Sequence, residues 1–262
     1  MNNIAVLQVE TTNICNAHCV FCPHDRFKEF GTMSDELWDK IVSEAACLSG
    51  LQTFIPMLTG EPFCDKQILS RIRHARERLP KVMIQLYTNG GLLTEAILEE
   101  LAAVPQFFLN ISLNGLKPEI RVHLMGLKDW VHVVRMARYA QQIKLPTRVT
   151  MVAYPELHEK DLSDFNAVGG VAIQYQSWAG QQYPYERKRW TSCPRALSHM
   201  TVRYDGSANL CCFDPFGKVS FGNVTEQTLE EIWQGRARRE YRESHQVGQG
   251  NRLPLCGACT EG

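Results

Sequence analysis

Short apolar runs punctuate the first two thirds of the chain, at residues 4–9, 52–58, 82–87, 107–113, 147–153 and 171–176. They are rich in branched and aromatic side chains and read as buried strands. Between them apolar residues recur every three or four positions, as on a helix with one buried stripe. Helices are expected from the Ser34 cap to Leu48, over 65–79, from the Thr94 cap to about Ala103, on to about Ile143 with a break near Gly126, and over 159–165. Strands alternating with helices build parallel βαβ units, an α/β fold. A closed barrel would need eight such strands, and its working face would lie at the strands' C-terminal ends.

The pattern changes after Pro184. A charged stretch at 185–190 is followed by short strands at 200–204 and 208–213 around Asp205-Gly206, a hairpin signal. Gly222-Asn223 closes that unit. A helix from Thr228 to about Ser244 carries so many Arg and Glu that a solvated face is expected. Two units follow, 1–184 and 185–262.

Special residues cluster after the strands. The first strand runs into Cys15-Asn16-Ala17-His18-Cys19-Val20-Phe21-Cys22. Thiolates are soft ligands for iron–sulfur clusters and zinc. Three this close can hold three corners of a four-iron cluster and leave the fourth iron open, since no further Cys follows nearby. The alternative is three small residues on one buried helix face. Asn13, Asn16 and Pro23 argue against a helix there. Cys193, Cys211, Cys256 and Cys259 make a second set, ending in a Cys-x2-Cys knuckle, that suits a closed four-thiolate site for either zinc or an iron–sulfur cluster.

Bulk properties narrow the partners. Lys+Arg and Asp+Glu are both 28, so there is no basic excess for nucleic acid or an anionic membrane. No apolar run reaches the length of a membrane span, and the amino terminus has no basic segment or cleavage site. With ten cysteines and no export signal, metal ligation in the cytoplasm is expected rather than disulfides.

Cys-x3-Cys-x2-Cys with Phe21 before the last Cys resembles the signature of the radical S-adenosylmethionine (SAM) enzymes. The spacing Cys-x12-Gly-x4-Cys from Cys193 to Cys211, followed by the terminal knuckle, resembles the "twitch" module, a short form of the SPASM domain. The resemblance implies a partial (β/α)6 TIM-like barrel with a small module of hairpin plus helix. It implies two [4Fe-4S] clusters, one open to SAM at Cys15, Cys19 and Cys22 and one auxiliary cluster on the other four cysteines. In this family an electron from the first cluster cleaves SAM, and the resulting 5′-deoxyadenosyl radical abstracts a substrate hydrogen. An auxiliary cluster can then take the substrate's electron, which permits dehydrogenation of a small polar metabolite. A flavodoxin- or ferredoxin-type donor is the implied partner.

The same resemblance marks Phe21, Thr59, Gly60, Glu61, Pro62, Asn89, Ser112, Asn114 and Arg121 as SAM contacts. Arg121 read without it is a surface helix residue. Trp178, after the sixth strand, is expected at the barrel mouth. Cys47 reads as core. Cys64 and Cys212 read as small buried residues or as hydrogen donors, and a donor would make the enzyme an epimerase. A peptide substrate is a further alternative; with the first strand at residue 4 there is no room ahead for a leader-binding domain, so a separate partner would present it. A non-catalytic zinc-binding interaction protein is the reading from a different class.

Overall fold

The computed structural model describes residues 3–154, 157–174, 177–181 and 190–261. The end of the sixth expected strand, the 184/185 boundary and the charged stretch up to residue 189 lie outside the described residues.

The alternating pattern folds as read. In chain order come β1 (Val6–Val9), α1 (Asp35–Ala45), β2 (Thr53–Ile55), α2 (Ile68–Arg78), β3 (Met83–Thr88), α3 (Glu95–Ala102), β4 (Phe107–Ser112), α4 (Pro118–Met125), α5 (Trp130–Gln142), β5 (Thr147–Ala153), α6 (Glu159–Ala167) and β6 (Val171–Gln174). Ser34 and Thr94 cap α1 and α3, each accepting from a backbone N–H three residues on, at 3.2 Å. Gly126 ends α4 in the left-handed region, φ +70°, which a side chain would disfavour. The break expected near it is therefore real.

The six strands pair in parallel and in sequence order. Residues facing the helices, such as Leu7, Phe54, Ile84, Leu109 and Met151, are buried in one core with Trp38, Ile41, Ile72, Leu98 and Val133. Burying each such side chain contributes about 2 kcal/mol before chain entropy is counted.

The C-terminal segment adds α7 (Pro194–Ser198), β7 (His199–Val202), β8 (Ser207–Asn209), β9 (Ser220–Asn223), α8 (Leu229–Gln234) and α9 (Arg236–Gln246). The hairpin at Asp205-Gly206 is present, with Gly206 at φ +85°. It is not a free-standing unit, however. β7 pairs in parallel with β1, so one nine-stranded sheet runs β6-β5-β4-β3-β2-β1-β7-β8-β9. α7 and β9 were not foreseen.

Two expectations about burial are corrected. The stretch 228–244 is two helices broken at Gly235, and Arg238 and Arg242 are buried rather than solvated. Both guanidinium groups lie over the Trp233 ring, 4.7 and 4.4 Å from its centroid. Cys47 is exposed just beyond α1, not core.

Glu10, fully buried at the end of β1, ties three elements together. Its carboxylate accepts from the Thr59 hydroxyl and N–H after β2, and from the Tyr204 N–H after β7, and it faces Arg203 at 3.6 Å. Burial raises its pKa above the ordinary carboxylate value despite these partners. The folded chain therefore holds the proton more tightly than the unfolded one. Glu10's contribution is fullest below the ordinary carboxylate range and declines as pH rises toward the folded pKa. Glu10→Ala leaves buried donors without an acceptor and should cost about 2 kcal/mol. Urea midpoints across pH should show that loss, and a stability–pH slope less negative than in the parent.

Candidate active site

The Cys15–Cys22 segment is a turn-rich loop, and none of it is helix, which removes the buried-helix alternative. Its base is a polar clamp. The Thr12 hydroxyl donates to the Gly31 carbonyl at 2.9 Å, the Asn13 amide donates to Glu29 O at 2.9 Å, and Asn13 Oδ1 accepts from Gly31 N at 2.8 Å. Its tip rests on the end of α4, where His18 N donates to Met125 O and Val20 N to Leu124 O.

The three thiols face a cleft of about 430 Å³ at the C-terminal ends of the strands. Burial pushes Cys15 up to about 11, Cys22 to about 12 and Cys19 well above the ordinary thiol value, and the neighbouring thiols push the same way. They are neutral until a metal displaces their protons.

The turn after β2 is pressed against this loop. A Cβ on Gly60 would run into the Thr12 carbonyl oxygen and lie 2.8 Å from Asn13 Cα, so only glycine fits. Glu61 N donates to Ile14 O at 2.9 Å. The buried Glu61 carboxylate accepts from the Thr88 hydroxyl at 2.6 Å and from Asn89 N at 2.7 Å, which fixes the end of β3. Burial brings its pKa to about 7. Asn89 reaches the loop in turn, its amide donating to Asn16 Oδ1 at 2.6 Å.

Phe21, Thr59, Gly60, Glu61, Asn89, Ser112 and Asn114 all line the cleft beside the three thiols. Pro62 and Arg121 do not. Pro62 is buried and starts a short 3-10 turn. Arg121 is fully buried rather than a surface residue, and its donors are committed: to Asp129 at 2.6 and 3.2 Å, to the carbonyls of Ser112, Leu113 and Asn89 at 2.8–3.1 Å, and to the Met125 sulfur at 3.3 Å. It holds the ends of β3 and β4 in place behind the wall. Asn114 adopts φ +55° and its Oδ1 accepts from Val152 N at 2.8 Å, locking β4 to β5.

The opposite wall comes from the chain after β6 and from the C-terminal segment. Trp178 stands at the cleft as expected, its indole N–H donating to the Phe21 carbonyl at 2.9 Å and its ring set edgewise on Phe213. Cys212 lines the cleft; Cys64 does not, though its thiol feels the charge of Glu61. Gln8, Tyr87, Arg195 and His199 also line it, and sequence reasoning missed them. Gln8 and Tyr87 carried the one available signal, polar positions inside apolar strands. Burial and the nearby Arg195 and Arg238 lower His199 to about 4, so it is neutral.

Cys193, Cys211, Cys256 and Cys259 line a second, smaller cavity together with Ala196, Leu210, Leu255 and His245. Burial raises Cys256 to about 12, Cys259 to about 11 and Cys211 well above the ordinary value. Arg195 and Phe213 line both spaces, and Arg195 hydrogen-bonds the thiols of Cys193 and Cys212. Four soft thiolate donors lining one cavity suit an iron–sulfur cluster or zinc.

Comparison with known proteins agrees with this geometry. Residues 9–166 match the radical SAM superfamily and residues 193–260 an iron–sulfur cluster-binding domain, SPASM. The chain is 26% identical over 261 residues to the S-adenosyl-L-methionine-dependent 2-deoxy-scyllo-inosamine dehydrogenase of Niallia circulans, covering 97% of this chain and 92% of that one. A crystal structure of BtrN with AdoMet and 2-DOIA superposes with TM-score 0.66 at 18% identity, over 98% of this chain and 93% of that one. Streptococcus suis SuiB bound to its precursor peptide superposes with TM-score 0.76 at 16% identity, over 100% of this chain and 72% of that one.

The chain belongs to the radical SAM superfamily and carries a SPASM domain. It is an enzyme, its cofactors are SAM and [4Fe-4S] clusters, and the reading as a non-catalytic zinc module is set aside. Among the described residues no helix is long and apolar enough to cross a membrane.

Gly60→Ala should force the turn after β2 off the cysteine loop. Iron analysis of the reconstituted variant should show the loop's iron lost and that of the four-thiol set retained.

Proposed function

We propose that this enzyme dehydrogenates a small polar molecule at a carbon bearing a hydroxyl or amine. The observation that carries this reading is the shared wall. The three-thiol loop opens on the cleft, the four-thiol cavity lies behind it, and Arg195 and Phe213 border both. A substrate in the cleft would have one cofactor on each side. The dehydrogenase relative, alike over nearly its whole length, supports the same class.

Cys15, Cys19 and Cys22 would hold the open cluster, and Cys193, Cys211, Cys256 and Cys259 the closed one. Backbone groups of the Thr59–Gly60–Glu61 turn, with Asn89, Ser112 and Asn114, would receive SAM. When bound, SAM and the open cluster would supply hydrogen-atom abstraction, and the closed cluster would supply a one-electron acceptor. Loss of that hydrogen atom, one electron and the hydroxyl or amine proton converts a C–O or C–N single bond to a double bond.

The chain's own residues orient and shield. Trp178 and Phe21, joined by a hydrogen bond on the cleft wall, would keep water from the reacting carbon. Gln8, Tyr87 and the neutral His199 present hydrogen-bonding groups from the cleft's floor and sides, which suits a hydroxylated or amino-substituted ligand. Arg195 lines the cleft and would offer positive charge to a developing negative oxygen.

A second reading rests on Cys212. Its thiol lines the cleft, so it could return a hydrogen atom to a substrate radical and invert the carbon without net oxidation.

The two readings separate in D2O. Dehydrogenation should give one oxidised product per 5′-deoxyadenosine, with Cys212→Ser retaining at least half the turnover. Solvent deuterium at an inverted carbon, lost in Cys212→Ser, would replace the first reading with the second. About seven to eight irons per chain should be found after anaerobic reconstitution. Alanine at Cys15, Cys19 and Cys22 should abolish SAM cleavage.

A further inference from the structure

The four-thiol cavity is lined by a buried polar side chain that nothing in the fold satisfies. His245, on α9, is 2% exposed and lines the cavity. Neither of its ring nitrogens has a hydrogen-bond partner in the protein. A buried imidazole without partners is costly, on the order of 1–3 kcal/mol for each unsatisfied group. The ring is also held firmly: a Cβ on Gly250 would run into it, so the glycine lets the chain pack flat on the imidazole.

Two turns back on the same helix, Arg238 is likewise 2% exposed. Its Nη2 donates to the His199 carbonyl at 2.7 Å, while its Nη1 has no partner. Its charge acts on the thiols of Cys193, Cys211 and Cys256. The guanidinium lies against Trp233 and Phe221, at 4.7 and 5.1 Å from their centroids, which holds it in the interior. Burial and Arg242 lower its pKa to about 10, which leaves it charged at neutral pH.

A partnerless imidazole on the cavity wall, and a buried guanidinium with a partnerless Nη1 whose charge acts on three of the thiols, point to a ligand rich in acceptors. Four thiolates around a cubane supply many, on cysteine sulfur and on inorganic sulfide. Hydrogen bonds and positive charge around such a cluster favour its more negative, reduced form and raise its potential.

We propose that His245 and Arg238 are positioning residues of the four-thiol site, donating toward its cluster and setting its potential high enough to accept the substrate's electron. The inference rests on the dehydrogenase reading above for the electron's source, and on the four cysteines holding a cluster. The electron enters from the substrate radical as its proton leaves, so no further oxidant is needed for that step.

The test uses the full chain with Cys15, Cys19 and Cys22 all changed to Ala, which leaves one cluster to observe. Its potential is followed by electron paramagnetic resonance during a redox titration. His245→Leu and Arg238→Met should each lower the ratio of reduced to oxidised cluster about tenfold at a fixed ambient potential, equivalent to about 59 mV. His245→Gln and Arg238→Lys keep a donor and should recover most of that ratio. Equal ratios in the parent and the Leu and Met variants, with about four irons retained, would overturn this inference alone. Loss of iron from all four variants would make both side chains structural supports and overturn it too. Zinc in place of iron in the parent would overturn the cluster assignment itself, and the inference with it.

Discussion

Two parallel pairings meet on one short strand. β1 is hydrogen-bonded on one side to β2 and on the other to β7, and Glu10 at its end accepts from the turns that leave both neighbours. Backbone ladders set the depth of each strand, but they do not fix how the loops beyond them lie. A buried carboxylate does, because moving any of its donors away strands a charge or a dipole in a medium that cannot solvate it. The Thr59–Gly60 turn on one side, and the module that follows β7 on the other, are thus both referred to a single point beside the cysteine loop.

The barrel half was legible because its signals are local. The fifth strand was read to its bounds, 147–153, since Pro146 and Pro155 bracket a stretch of mainly β-branched and apolar residues there. Ser34 and Thr94 declared their helices through capping, and the cysteine spacings declared the ligands. What escaped was tertiary. The residues of β9, Ser-Phe-Gly-Asn, carry no alternation, and pairing with β8 on one side alone makes a strand of them. Arg121, Arg238 and Arg242 looked like solvent residues because charge ordinarily seeks water. Each is buried since a carboxylate, carbonyls or an aromatic face takes water's place, and none of these is adjacent in sequence.

The same distinction runs through the candidate site. Cys15, Cys19, Cys22 and the Gly-Glu-Pro turn announce themselves, because metal binding and close backbone approach demand particular residue types at fixed spacing. Gln8, Tyr87, Arg195 and His199 do not, since a pocket that must fit a particular small molecule obeys no general spacing rule. Cys64 and Cys212 were indistinguishable in the sequence. The chain separates them by topology: one follows a barrel strand and sits behind Glu61, the other follows β8 and lines the cleft.

The pairing of β1 with β7 joins residues separated by almost the whole barrel sequence. During synthesis the first strand emerges early and waits, one edge bare, until nearly two hundred residues have left the ribosome. Such a topology has high contact order and folds slowly, and a bare apolar edge invites other chains. The ladder that joins the two halves of the sheet is therefore the one that closes across the longest stretch of chain, and until it forms the first strand keeps an edge free to pair.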